Sequence, residues 1–387
     1  MQSHAPSFDV AVIGAGPGGA VAAGWLARGG ASVALIEKET LPRYKTCGGG
    51  LVRRALQFLP PDVELPVQDP CAAVAMHIRG GRSFRVQRAH PIVVMTMRSE
   101  LDHALTQVAV RAGAVLHSPC ELHALAQDAR GVELQTSTGV LRAAFVIAAD
   151  GALGPTARSA GWTKPVETVA ALEAEVTLAP DALARFRGSA RFDLGTPEAG
   201  YGWAFPKRAQ LSAGVLTMRR KSGGLRTALQ SYLAGLDLPR ALAIEEHGFV
   251  IPIRPRREGF VRGRVLLTGD AAGFADPVTG EGISWAMQSG QLAAQALLDA
   301  RFDPRRSGAS YSRRVAREIL PELRVARTLA RILYHRPQLA RRLFERSGQA
   351  LCESMTDVVC GERSYRELAY SPRSYLALVR AQLAGAR

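Results

Sequence analysis

The chain is short of cysteine, of lysine and of long apolar runs, and each scarcity removes a class of explanation. Five cysteines, Cys47, Cys71, Cys120, Cys352 and Cys360, are scattered through 387 residues, and no two are spaced as C-x-x-C. Such spacing gives neither a zinc knuckle nor a disulfide framework, so no metal site is expected and a reducing, cytoplasmic setting suits the chain best. Lysine occurs only at 38, 45, 164, 207 and 221, so arginine carries the net charge of +15. No stretch reaches the roughly 18 uninterrupted apolar residues that cross a bilayer. Met1 to Asp9 has no basic n-region and no apolar h-region, so no signal peptide is expected. Low-complexity tracts and short-period repeats are missing as well.

What is present is ordinary for a folded protein: 47% hydrophobic and 21% charged residues, on a chain long enough for two or three intertwined domains. The charge is uneven. From Arg301 to Arg387 there are 18 arginines against eight acidic residues, a net of +10. Codon bias in a GC-rich genome accounts for arginine in general. A basic C-terminal third also fits an anionic membrane surface or an acidic protein partner. Nucleic acid is not expected as a partner, because no recognised binding module accompanies the charge. The oligomeric state is not written in the sequence.

Asp9-Val-Ala-Val-Ile13 reads as a buried parallel strand, Ala20 to Arg28 as a helix ended by Gly29-Gly30, and Ser32 to Glu37 as a second strand. Between the first strand and the helix lies Gly14-Ala-Gly16-Pro17-Gly18-Gly19, a G-x-G-x-x-G turn. Gly14 makes the tight turn, Gly16 admits a pyrophosphate, and Gly19 lets helix and strand pack closely. Phosphates would sit at the helix N-terminus. Glu37, 23 residues after Gly14, offers a carboxylate to ribose hydroxyls, with Lys38 beside it. This βαβ unit points to a dinucleotide.

Two later strands carry acids at their ends. Phe145 to Ala149 leads into Asp150-Gly151, followed by Gly154 and Arg158. Val261 to Leu267 reads as one strand leading into Gly269-Asp270, followed by Pro277, Gly280, Glu281, Gly282 and a helix from Ile283 to Ala300. A carboxylate at a strand end suits a ribityl or ribose hydroxyl, and the glycines suit a pyrophosphate and a flavin edge. Taken in this order, the three motifs favour FAD over NAD. Pro165 to Val250 is strand-rich. After Arg301 the pattern is helical, with Tyr311, Val315, Ile319, Leu323, Ala326, Ala330 and Leu333 on one stripe.

The set resembles the FAD-dependent enzymes related to p-hydroxybenzoate hydroxylase. Two segments narrow the resemblance to the geranylgeranyl reductase family: Pro42-Arg-Tyr-Lys-Thr-Cys47-Gly48-Gly49-Gly50-Leu51, and Tyr201-Gly-Trp203-Ala-Phe205-Pro206-Lys207. Gly361-Glu-Arg-Ser-Tyr365 is similar to the segment closing many members, and Arg98 matches the family arginine that reaches FAD. The resemblance implies an α/β fold with an α+β insert. A Rossmann-like FAD-binding domain (1–70, 96–163 and 245–300) would carry an antiparallel-sheet substrate domain (71–95 and 164–244) and a helical C-terminal region (301–387).

It also implies an FAD-dependent oxidoreductase that saturates C=C bonds of a prenyl chain. FAD would lie against Gly14, Gly16, Pro17, Gly18, Gly19, Glu37, Lys38, Cys47, Gly48, Gly49, Gly50, Arg98, Asp150, Gly151, Gly269, Asp270, Pro277, Gly280, Gly282 and Ile283. Cys47 and Gly48 would face the substrate, the Cys47 thiol donating a proton or its thiolate tuning the flavin. Tyr201 and Trp203, with Phe205, alternate along a strand and would wall a lipid tunnel, or else pack a core. Lys207 and Arg208 face either solvent or a diphosphate. The donor would be NAD(P)H or reduced ferredoxin, and the arginine-rich end either packs as helices or touches the inner membrane peripherally. A flavin monooxygenase of an aromatic or lipid substrate, and a non-catalytic membrane-associated electron carrier, are the competing functions. Halogenases are disfavoured, because their Trp-x-Trp-x-Ile-Pro motif is replaced here by Tyr201 to Pro206.

Overall fold

A computed structural model describes residues 7–219 and 223–370. Ser7–Ile13 is apolar and fully buried from Val10 onward, as expected of a parallel strand covered on both faces. It lies between Val33–Ile36 and Gly139–Ala148, with Ile13 level with Ile36 on one side and Ala148 on the other. Val115–His117 and Val265–Leu267 extend this parallel sheet at either end. Strands in that register release Gly14, Glu37, Ala149 and Thr268 at one carboxyl edge, the usual ligand edge of an open α/β sheet. The turn there is tight. Gly14 has φ +97°, and a Cβ on Gly19 would stand 1.9 Å from the Gly14 carbonyl oxygen. Helices Pro17–Arg28 and Ile283–Asp299 pack side by side over the sheet, both through small residues such as Ala22, Ala293 and Ala296.

The segment Val261 to Leu267 is a hairpin, not one strand. Val261–Arg262 folds back antiparallel on Val265–Leu267, because Gly263 takes φ +57°.

The second sheet has seven strands, in the order 243–254, 167–177, 210–217, 200–206, 189–194, 73–78 and 82–87. Its pairings are antiparallel, save that 189–194 runs parallel to 73–78. Ala243–Arg254 pairs along the whole of Glu167–Thr177. The residues from 245 to 254, assigned from sequence to the FAD-binding domain, therefore belong to this sheet as its edge. The chain returns to the first sheet only afterwards. A small third sheet joins Gly50–Val52, Val93–Met95 and Asp69–Cys71.

One face of the second sheet is closed by helix Leu225–Gly235, through Leu225, Leu229 and Tyr232. The other face meets the C-terminal helices Leu320–His335 and Pro337–Cys360, while Pro304–Glu318 packs on Ile283–Asp299. The helical stripe serves two cores in turn. Tyr311, Val315, Ile319 and Leu323 enter the core of the parallel sheet, and Ala326, Ala330 and Tyr334 enter that of the second. Each fully buried aliphatic side chain there contributes about 1.5–3 kcal/mol. The arginines between them, such as Arg313, Arg317, Arg324 and Arg331, are exposed. No helix among the described residues is long and apolar enough to cross a membrane.

Candidate active site

A single cavity of about 620 Å³ runs from the carboxyl edge of the parallel sheet to the inner face of the second sheet. At the sheet end it is lined by Gly14, Gly16, Pro17 and Gly18 at the start of the first long helix. Free N–H groups there favour an anion. Glu37, 4% exposed, follows the adjacent strand. Its Oε2 accepts the Ala15 N–H at 2.9 Å and an Arg43 N–H at 3.3 Å. Arg43 also donates to Asp102 at 2.9 Å, and Arg98 grips Asp102 with two bonds of 2.8 Å. Two carboxylates and two guanidiniums thus form a balanced, buried quartet. Burial opposes the Arg98 charge, but Asp102 and Cys47 outweigh it and raise the guanidinium further. A Cβ on Gly16 would lie 3.7 Å from Arg98 Nη2, so the arginine reaches the phosphate turn.

Two more acids line the middle. Asp150 accepts the Thr156 N–H at 2.9 Å through Oδ2, while its buried Oδ1 has no protein partner. Burial pushes Asp150 up. Burial also raises Asp270, against the pull of Lys45 and Arg98. Lys45 in turn is lowered to about 8, by burial first and by the Arg98 charge second. Its ammonium stands 2.9 Å from the centre of the Phe249 ring.

The Cys47 loop forms the next stretch of wall. Gly49 has φ +73°, and a Cβ there would fall 2.1 Å from the Thr96 carbonyl oxygen, so no larger residue fits. Gly48 lies against Trp203 and Phe205. Tyr201, Trp203 and Phe205 do share one face of strand Gly200–Pro206, with ring centroids 6.2 and 6.4 Å apart. They line the cavity with Val74, Met76, Leu194, Leu333 and Met355, which makes this end apolar. The Tyr201 hydroxyl donates to the Thr279 carbonyl and that of Tyr334 to the Val278 carbonyl. Asp276 anchors the same loop, accepting from Val278 N–H at 2.8 Å and from the Tyr365 hydroxyl at 2.9 Å. The closing segment Gly361 to Tyr365 therefore reaches under the site.

The cavity brings together Gly14, Gly16, Pro17, Gly18, Glu37, Lys38, Cys47, Gly48, Gly49, Gly50, Arg98, Asp150, Gly151, Tyr201, Trp203, Gly269, Asp270, Gly280, Gly282 and Ile283. Two residues expected against FAD lie elsewhere. Gly19 is buried between helix and strand, and Pro277 is buried inside the turn held by Asp276. Lys207 does not face solvent. It is 1% exposed and donates to Glu175 at 2.7 Å. The sequence reading missed Arg43, Tyr44, Lys45 and Glu173. The first three were inside the quoted cysteine-glycine segment, and Glu173 had one signal, an acid in an apolar strand.

Residues 7–194 match the model of a family described as an FAD binding domain. The digeranylgeranylglycerophospholipid reductase of Methanosphaerula palustris is 32% identical over 76% of this chain and 76% of its own length. The menaquinone reductase of Mycobacterium tuberculosis (strain ATCC 25618 / H37Rv) is 31% identical over 76% and 77%. The chain belongs to the geranylgeranyl reductase family of FAD-dependent oxidoreductases. Its fold is that of a geranylgeranyl bacteriochlorophyll reductase-like protein from Thermoplasma acidophilum, with TM-score 0.77, 21% identity, and 98% and 96% of the two chains covered. The halogenase PltM has the same fold at TM-score 0.71, with 19% identity and 96% and 85% coverage. Fold alone thus does not select the reaction. The residues of this reductase-family chain fit FAD: a glycine cradle at a helix N-terminus, the Glu37 carboxylate at the end of the next strand, and an orphaned buried oxygen on Asp150.

Proposed function

We propose that the protein is a reductase that saturates C=C bonds of a prenyl chain. One observation carries this: the cavity holding the glycine turn continues, past the Cys47 loop, into an apolar chamber walled by Tyr201, Trp203, Phe205, Leu333 and Met355. A polar substrate would leave such a wall unsatisfied, whereas an isoprenoid chain buries against it.

In this reading the Gly14–Gly18 turn holds the pyrophosphate, with Arg98 beside it. Glu37 accepts ribose hydroxyls, and Asp150 and Asp270 bind hydroxyls further along. Bound FAD, once reduced, supplies hydride. Gly48 to Gly50 would let the backbone come close to a bound flavin, and Cys47 would offer its thiol on the same wall, its backbone N–H fixed to Glu173 at 2.9 Å. Trp203 and Phe205 exclude water and orient the alkene. Electrons enter from NAD(P)H or a reduced ferredoxin, which stopped-flow flavin reduction by each would distinguish. The exposed arginines of the C-terminal helices would rest on an anionic membrane from the cytoplasmic side, where a lipid substrate is taken up. Salt-sensitive sedimentation with anionic liposomes supports that contact, and its absence removes it.

The test of the reaction is anaerobic incubation of the reduced holoprotein with geranylgeranyl diphosphate and with prenylated lipids, read by mass spectrometry. A gain of two hydrogens per bond is expected. An added oxygen in air, with no hydrogen gain, would establish the monooxygenase instead.

A further inference from the structure

Glu173 stands in the middle of strand Glu167–Thr177, between Leu172 and Ala174, and lines the cavity beside Cys47. It is 1% exposed. Its Oε1 accepts two hydrogen bonds, from the Tyr44 hydroxyl at 2.8 Å and the Cys47 N–H at 2.9 Å. Its Oε2 is buried with no partner. Among the described residues Glu173 forms no ion pair, because Lys207 is committed to Glu175 at 2.7 Å and Gln210 donates to the other Glu175 oxygen at 2.6 Å.

A carboxylate with one vacant oxygen and no cation is costly inside a protein, and the group lowers that cost by keeping a proton. Burial, then the Glu175 charge, push Glu173 up, with Lys207 and the hydrogen bonds from Tyr44 and Cys47 pulling the other way. The other groups facing it are Tyr44, Cys47 and, across the strand pair, His247, whose ring lies 4.3 Å from that of Tyr44. Lys45 follows Tyr44 in the chain. Tyr44 is 44% exposed, so its side chain spans from the buried carboxyl to the protein surface.

We propose that Glu173 is the acid that protonates the alkene, with Tyr44 returning the proton from solvent. The proposal rests on the prenyl-reductase reading and adds the residue that completes it. The alkene gains a C–H bond from the flavin hydride at one carbon, and its π bond breaks. The electron pair of that bond takes the Glu173 proton at the other carbon. The flavin is left oxidised and Glu173 ionised. Tyr44 then passes its proton to Glu173 as it takes one from water, which restores both groups.

The experiment compares the FAD-loaded full chain with Glu173→Gln and Tyr44→Phe. Glutamine keeps the acceptor for Tyr44 and Cys47, so FAD content and flavin reduction by dithionite stay as in the wild type. Prenyl reduction is expected to fall at least ~100-fold in kcat, the scale of general acid catalysis, with KM little changed. The infrared spectrum of the protein without substrate should contain a protonated-carboxyl C=O band that shifts in D2O, is missing in Glu173→Gln and persists in Tyr44→Phe. Tyr44→Phe should slow turnover and enlarge its solvent isotope effect. An active wild type with an unimpaired Glu173→Gln overturns this proposal alone, as does the absence of the infrared band. A wild type that reduces no prenyl substrate overturns the function reading, and the alkene step with it.

Discussion

Asp102→Asn is the sharpest probe of the charged quartet beside the glycine turn. Asp102 is 0% exposed and accepts three charge-assisted bonds, at 2.8, 2.8 and 2.9 Å, from Arg98 and Arg43. Asparagine has the same shape, but it removes the negative charge and turns an NH2 toward guanidinium donors. Arg43 would then keep only Glu37, and Arg98 would lose its carboxylate partner. Breaking a buried ion pair by removing one partner costs about 3–5 kcal/mol, a large part of the roughly 5–15 kcal/mol that holds a folded protein together. Arg98 would also lose the clamp that aims it at Gly16, so FAD affinity should drop. Urea unfolding gives the first quantity, and flavin fluorescence quenching on titration gives the second. Glu100→Gln, exposed in the first turn of the same helix and bonded to Gln68, serves as the control for loss of one surface carboxylate and should stay within about 1 kcal/mol. A loss under about 1 kcal/mol with unchanged FAD affinity would refute the view that the quartet is a unit.

Three further outcomes are expected. Lys45 titrates at about 8 in the fold and in the ordinary lysine range when unfolded, so below pH 8 the fold carries a buried charge that the unfolded chain hydrates freely. Stability on this account rises as pH increases from about 8 toward the ordinary lysine range. Lys45→Met should therefore raise the apoprotein Tm at pH 7, with the gain fading by about pH 10; an equal gain at both would contradict it. Tyr365→Phe removes the donor to buried Asp276 Oδ2, and should cost about 1–3 kcal/mol in denaturant unfolding and loosen FAD retention on gel filtration. Cys47→Ala should keep bound FAD by absorbance and lose most prenyl turnover; unchanged turnover would remove the thiol from the chemistry.

The sequence was most informative where one short segment carries its own geometry. The G-x-G-x-x-G turn, the acids at the ends of two apolar strands, and the alternating Tyr201, Trp203 and Phe205 each imply a local shape, and the cavity collects all three. It was least informative where a partner lies far along the chain. Arg43 and Asp102 are 59 residues apart, and Tyr44 and Glu173 are 129 apart, so neither link shows in a local pattern. Glu173, Glu175 and Lys207 look like surface charge, because the contacts that accompany their burial, the Lys207–Glu175 ion pair and the Tyr44 hydroxyl on Glu173, join residues far apart in the chain. The placement of 245–254 was missed for a similar reason. An edge strand with exposed Ile244 and Glu245 lacks the even apolar pattern of a central one, and only pairing with Glu167–Thr177 assigns it to a sheet. The arginine-rich helices were read correctly as a stripe, but the stripe's change from one core to the other at Ala326 is a property of the packed protein.

That one cavity serves both FAD and an isoprenoid chain is tested by single-turnover reaction, without oxygen, of the flavin-reduced protein with a prenylated lipid in deuterated and ordinary water, followed by mass spectrometry of the lipid. Flavin oxidation and saturation are expected to proceed together, one bond per flavin, with the added hydrogens carrying deuterium in deuterated water, because the acid proton and the exchangeable hydrogen of reduced flavin both equilibrate with solvent. Flavin that stays reduced beside an unchanged lipid would contradict it.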